Sequence, residues 1–350
     1  MNLFEALEWS NWKNLSIEVK IQVISQVLMY FVSPLKQVGE VEYCEFELAG
    51  VKCGTFECSI DGERFVLIPG NQKAILGWDL GVQGLPVISW DCEPETKTAY
   101  FEQLAESYGF SNADDWEIFV NESTSPLRKV KIPPMLVQKE ALPTGTTFIG
   151  NFDTITGEFT GLVEAFAPIE KDFRSYFKQP TSFEESLTWQ LPDELYEANH
   201  FYAFLQAEME TYRVYLHQTC SRKILLKKTH DEVFDLLDED QWEYAVGAGT
   251  RKLFRWGNEV EQDLSFYGKK TLKKMQQENM FGLLIDSQRK RWEVTDSKRL
   301  KLEKMELTGH PLFDTMPLSS YYHSRKMIAD EELLEPCDYS YRKAIIIRSE

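Results

Sequence analysis

Residues 236–259 read LLDEDQWEYAVGAGTRKLFRWGNE, and this stretch decides the fold. Asp238 is a good N-cap, and Gln241 three residues on completes a capping box. Acids at 238–240 sit where the helix macrodipole favours negative charge. Trp242, Ala245 and Val246 fall at i, i+3 and i+4, so the helix has one apolar face whose indole should enter a core. Gly247 and Gly249 end it, and an apolar run closed by Trp256-Gly257-Asn258 follows.

Upstream, residues 15–32 place Ile17, Ile21, Ile24, Leu28 and Phe31 at steps of three or four, which predicts an amphipathic helix ending before Pro34. Tyr43–Leu48, Val51–Ile60 and Arg64–Ile68 are β-rich runs separated by Ala49-Gly50 and Asp61-Gly62. Asp-Gly between two such runs is a strong hairpin signal. A helix is expected over Thr96–Tyr108, loops around 126–145, and short strands over Phe148–Phe166. Pro192 should open a long helix with Leu195, Phe201, Phe204, Leu205, Met209, Tyr212 and Leu216 as its apolar stripe, carrying His200 and His217. A boundary is expected around 170–190.

Several pieces of the chain resemble the formylglycine-generating, sulfatase-modifying-factor family. They are Trp242-Glu243-Tyr244-Ala245, Gly247, Gly249 and Phe254-Arg255-Trp256-Gly257-Asn258, then Asn279-Met280-Phe281-Gly282-Leu283, Trp292-Glu293 and Tyr341-Arg342. Phe65–Gly70 resembles the first strand of the same domain. The resemblance implies an α+β, C-type-lectin-like fold with much irregular backbone. On that reading residues 1–40 are an N-terminal helical element, and residues 41–350 are a sulfatase-modifying-factor-like domain with a large insertion at about 80–180.

The formal charge of −18 argues against a general nucleic-acid binder, which needs a positive face. The charge is uneven. Residues 1–127 carry twenty acids against seven bases, whereas 268–304 carry eleven bases against five acids, a solvated face or a surface for an acidic partner. No leader and no long apolar run is seen, so a cytoplasmic, non-membrane protein is expected. The six cysteines show neither C-x-x-C nor zinc-finger spacing and should be mostly buried thiols.

Formylglycine-generating enzymes hold copper with two cysteines in a run resembling S-x-C-x-x-Y-R. Here the matching run is Ser319–Arg325, which has no cysteine, so that activity is not expected. Cations at 289–291 also replace oxygen ligands of the family's calcium segment. The related ergothioneine-type sulfoxide synthases use iron on three histidines, yet the N-terminal helix has none. His310 and His323 with one carboxylate would be the metal candidates for iron or copper.

In the resembled domain the region of His310, Tyr321, Tyr322, His323 and Arg325 borders the cleft, and its phenols, imidazole and guanidinium offer donors, stacking faces and an anion clamp. The tyrosines could equally alternate between core and surface of a strand. Glu243 is either structural or a general acid or base, and Arg255 and Trp256 should close the core. The expectation is a diverged binding protein for a peptide, protein or small ligand, with no catalytic residue assigned. The alternative is a mononuclear iron or copper oxidase acting on a peptide or a small thiol or amine.

Overall fold

The computed structural model describes residues 1–85, 99–110, 115–177, 190–206, 210–260, 269–288, 290–304, 308 and 310–348. Cys92, Thr96, Met209 and Arg289 lie outside them. The fold class is α+β, and the chain forms two compact units. The first comprises residues 1–141, 226–329 and 340–350, and the second 142–225 with 330–339. The second unit thus interrupts the first at 142–225, where the sequence reading put an insertion at about 80–180 and a boundary around 170–190.

The first unit is built on an antiparallel sheet. Its strands are β1 (Val38–Leu48), β2 (Val51–Ile60), β3 (Glu63–Ile68), β6 (Met135–Gln138), β13 (Lys343–Ile346) and β12 (Asp235–Leu236), in that spatial order. Strands β4 (Asn71–Leu76) and β5 (Arg128–Ile132) pair beside it. Both hairpins fall where the sequence places them. Asp61 and Gly62 take φ of 52° and 80°, the pair of positive values that a two-residue turn between right-twisted strands demands. Strand β3 is buried from Phe65 to Ile68 on both faces.

Two one-turn helices, Leu3–Ala6 and Trp9–Trp12, precede helix α1 (Ile17–Phe31). Ala6, Leu7, Trp12, Val23, Ile24 and Val27 belong to the same apolar core as the sheet. The buried stripe of α1 matches the expected one only in part. Ile17 and Ile21 are 45% and 47% exposed, while Lys20, Val23, Ile24 and Val27 are buried. Of the expected stripe, Ile24 is buried and Leu28 and Phe31 pack against the core, while Lys20 is drawn inside by a hydrogen bond from its ammonium to the Gly54 carbonyl at 2.9 Å. Helices α2 (Ala99–Ser107) and α3 (Asp115–Glu122) add an aromatic cluster.

The second unit has its own core under a five-stranded antiparallel sheet, made of β7 (Thr146–Asp153), β8 (Phe159–Gly161), β9 (Glu194–Glu197), β10 (Phe201–Gln206) and β11 (Thr211–His217) in the order β9-β10-β11-β7-β8. Helices α4 (Val163–Phe166) and α5 (Glu170–Ser175) bring Phe166 and Phe173 onto it. The long helix expected from Pro192 is therefore corrected to strands β9–β11. His200 lies in the β9–β10 turn and His217 ends β11, so neither rides on a helix. The strands win because Phe, Tyr and Val suit a half-buried pleated surface, and Asn199 and Glu210 supply the left-handed turns between them, with φ of 57° and 53°.

Candidate functional site

Helix α6 (Glu239–Gly247) forms as its sequence dictates. Asp238 accepts from the Gln241 amide at 2.7 Å, Gln241 returns the bond at 3.0 Å, and Ala248 takes the left-handed conformation that ends the helix. Its core face then gathers the distant motifs. Trp242 Nε1 donates to Glu293 Oε1 at 2.9 Å, and Arg342 Nε donates to the same oxygen at 2.8 Å. Asn279 donates to the carbonyls of Ala245 and Val246 and accepts from the amides of Phe281 and Leu283. Arg255 and Trp256 are buried, the guanidinium donating to the Met275 carbonyl and the indole stacked on Phe254. Desolvation pulls the Arg255 guanidinium down to about 9.

The other face of α6 carries an ion network. Glu243 is fully buried and accepts from Ser125 Oγ at 2.9 Å, Arg128 at 3.0 Å and Lys301 Nζ at 2.9 Å. Lys301, fully buried itself, also donates to the Tyr322 carbonyl at 3.2 Å. One turn earlier, Glu239 accepts from Ser297 Oγ and lies 3.5 Å from His323 Nε2, which is 3.9 Å from Glu243. The nearby imidazole pulls the Glu239 carboxyl down to about 2, helped by Lys301 and against the cost of desolvation. Glu243 spends its oxygens on three donors, an arrangement that fixes the helix rather than leaving a carboxylate free for proton transfer. Sequence reasoning missed Arg128, Lys301 and Glu239 as members. Lys301 sat within the basic 268–304 stretch that read as surface, and nothing in the spacing marks it as internal.

The five residues singled out from the sequence divide. Residues 321–323 run beside 123–125: Ser125 N donates to the Tyr321 carbonyl and His323 N to the Ser123 carbonyl, both at 2.8 Å. Tyr321 is buried, its hydroxyl donating to the Thr250 carbonyl, and Tyr322 is buried with its hydroxyl on Glu303. His310 is fully buried. It caps helix α7 (Pro311–Thr315) through Nδ1, which accepts from Leu312 N at 3.2 Å, and its ring stacks on Trp116 with centroids 4.2 Å apart. His323 and Arg325 keep solvent access, with side chains 18% and 54% exposed. The Arg325 guanidinium lies 3.5 Å from the centroid of Tyr108 and 3.8 Å from the Glu122 carboxylate.

The metals that the resemblance implies do not fit these residues. Ser319–Arg325 offers no thiolate for copper. Among the described residues His310 and His323 enter no group of three ligating side chains. Such a group occurs in the second unit, Asp172, Glu197 and His200, where His200 Nδ1 lies 3.1 Å from Glu197 and 3.9 Å from Asp172, an arrangement that partly exposed ion pairs also produce.

A family model described as a profilin-like domain of unknown function (DUF7278) matches residues 147–216, which fall in the second unit and span strands β7–β11. No curated protein and no solved structure matches the chain. Among the described residues no helix is long and apolar enough to cross a membrane.

Proposed function

We propose that the chain is a diverged binding protein on a sulfatase-modifying-factor-like, C-type-lectin-like frame, acting in the cytoplasm, and that its ligand, a peptide, protein or small molecule, is engaged by the surface of His323 and Arg325. One observation carries the reading: of the five cleft candidates, the two phenols and His310 are spent inside the protein, leaving the Arg325 guanidinium exposed and the His323 imidazole partly so. The Arg325 guanidinium is laid on the Tyr108 ring, which lowers the entropy lost on binding, and its ion pair with Glu122 is an exposed one that a ligand carboxylate can displace. The frame is supported by the convergence of Trp242, Asn279, Glu293 and Arg342 on one helix and its neighbours. The reducing compartment is supported by the thiols of Cys44, Cys53, Cys58, Cys220 and Cys337, which are all free. The net charge of −18 disfavours nucleic acid as the ligand.

The test is capture on the immobilised full chain compared with a His323→Ala/Arg325→Ala variant of unchanged melting temperature. A species retained by the first and lost from the second is expected. Identical retention by both, or oxygen-dependent turnover with one redox metal per chain, would overturn the reading.

A further inference from the structure

A cavity opens beside the buried Lys20. It lies between the Trp9–Trp12 turn, α1 and the β1–β2 hairpin, holds about 410 Å³, and is lined by residues that the proposed function does not use. That volume falls within the range of small-molecule sites, roughly 300–1,000 Å³. Trp9, Trp12, Tyr43 and Phe46 supply aromatic walls. Cys53 adds a thiol that burial pushes up to about 12, so it is a neutral wall and not a nucleophile.

Lys20 is the polar group of this cavity and is only 4% exposed. Its ammonium lies 5.1 Å from the Trp12 ring centroid and 5.6 Å from that of Tyr43. An ammonium has three N–H donors, and among the described residues Gly54 O is its hydrogen-bond acceptor and no carboxylate pairs with it. Desolvation accordingly lowers the affinity of Lys20 for its proton. The nearer acids are engaged: Glu45 accepts from the Tyr43 hydroxyl at 3.3 Å, and Glu47 pairs with Lys52 at 2.8 Å. Lys13, Lys20 and Lys52 against Glu45 and Glu47 leave the lining one positive charge in excess.

We propose that this cavity binds a small aromatic monocarboxylate, its ring between the aromatic walls and its carboxylate on Lys20. One negative charge answers the one excess positive charge, and the two glutamates in the lining oppose polyanions such as phosphate esters. A buried cation facing aromatic rings gains most from a single charge-assisted hydrogen-bonded partner.

The experiment is a fluorine NMR titration of the full chain with 4-(trifluoromethyl)benzoate and with its neutral isostere 4-(trifluoromethyl)benzamide. Saturable binding of the benzoate is expected, at least about tenfold tighter than the amide, with that preference lost in Lys20→Met, which keeps the aliphatic stem. Gly54→Ala should also weaken the benzoate, because an added Cβ would lie 2.0 Å from the Tyr43 hydroxyl and displace the ring. Equal affinity for the two probes, no saturable binding, or an unaltered preference in a folded Lys20→Met chain would overturn the proposal. The comparison of probes needs no variant, so it decides the matter even if both substitutions prevent folding.

Discussion

Glu243 and Lys301 meet at 2.9 Å with neither side chain exposed, and at this scale the physics is unforgiving. Removing one partner of a buried pair leaves the other charge without compensation, at a cost of about 3–5 kcal/mol. Lys301→Met should lower the unfolding free energy by roughly that amount in a denaturant titration. A loss below about 1 kcal/mol would mean that Ser125 and Arg128 suffice for Glu243. Glu239 sets a pH dependence. Its carboxyl is held at about 2, below the 4.5 of a free glutamate, so its contribution is present above 4.5 and is lost as the pH falls towards 2. Melting curves of the wild type and Glu239→Gln should therefore be furthest apart near neutral pH and converge over that acid window; a constant gap would show that Glu239 is not preferentially ionised in the fold. Little of this network could be read from residue order, since Arg128, Glu243, Lys301 and His323 come from four separate segments and only the fold makes them neighbours.

Helix α6 and the β1–β3 hairpins were legible because their signals are local: a capping box in one case, Asp-Gly between β-rich runs in the other. Helix α1 is legible as a helix and, from Ile24 through Leu28 to Phe31, in its facing, but its first turns are not. Val23 and Val27 widen the buried face beyond Ile24, and an internal acceptor draws Lys20 in while Ile17 and Ile21 stay out. The 192–217 segment failed for a similar reason: aromatic residues at steps of three and four also fit strands once turns divide the run, and Asn199 was the overlooked turn signal. The sheet of the second unit makes its own prediction. Gly150 and Gly161 face one another across β7 and β8 at φ of 152° and 149°, and a Cβ on Gly161 would lie 2.2 Å from the Ile149 carbonyl oxygen. Gly161→Ala should cost more than about 1 kcal/mol, measured as a fall in the denaturant midpoint at constant slope. An unchanged midpoint would contradict that pairing.

Over the whole molecule, each unit closes its own apolar core, and the residues proposed to bind ligand, with the cavity at Lys20, belong to the first. The sequence conveyed the α+β class and the residues that meet at Glu293. It did not convey that the cleft candidates would separate into buried phenols, a helix-capping His310, a partly buried His323 and an exposed Arg325, because burial depends on strands and loops far away in the chain. A binding role at that pair and a redox role at a metal on His310 and His323 differ in something measurable without knowing the ligand. The most direct measurement is the iron and copper content per chain of natively purified protein, with oxygen uptake followed on the same sample. The account predicts neither metal near one per chain and no oxygen-dependent turnover. Stoichiometric iron or copper that disappears in His323→Ala while the fold is kept would contradict it.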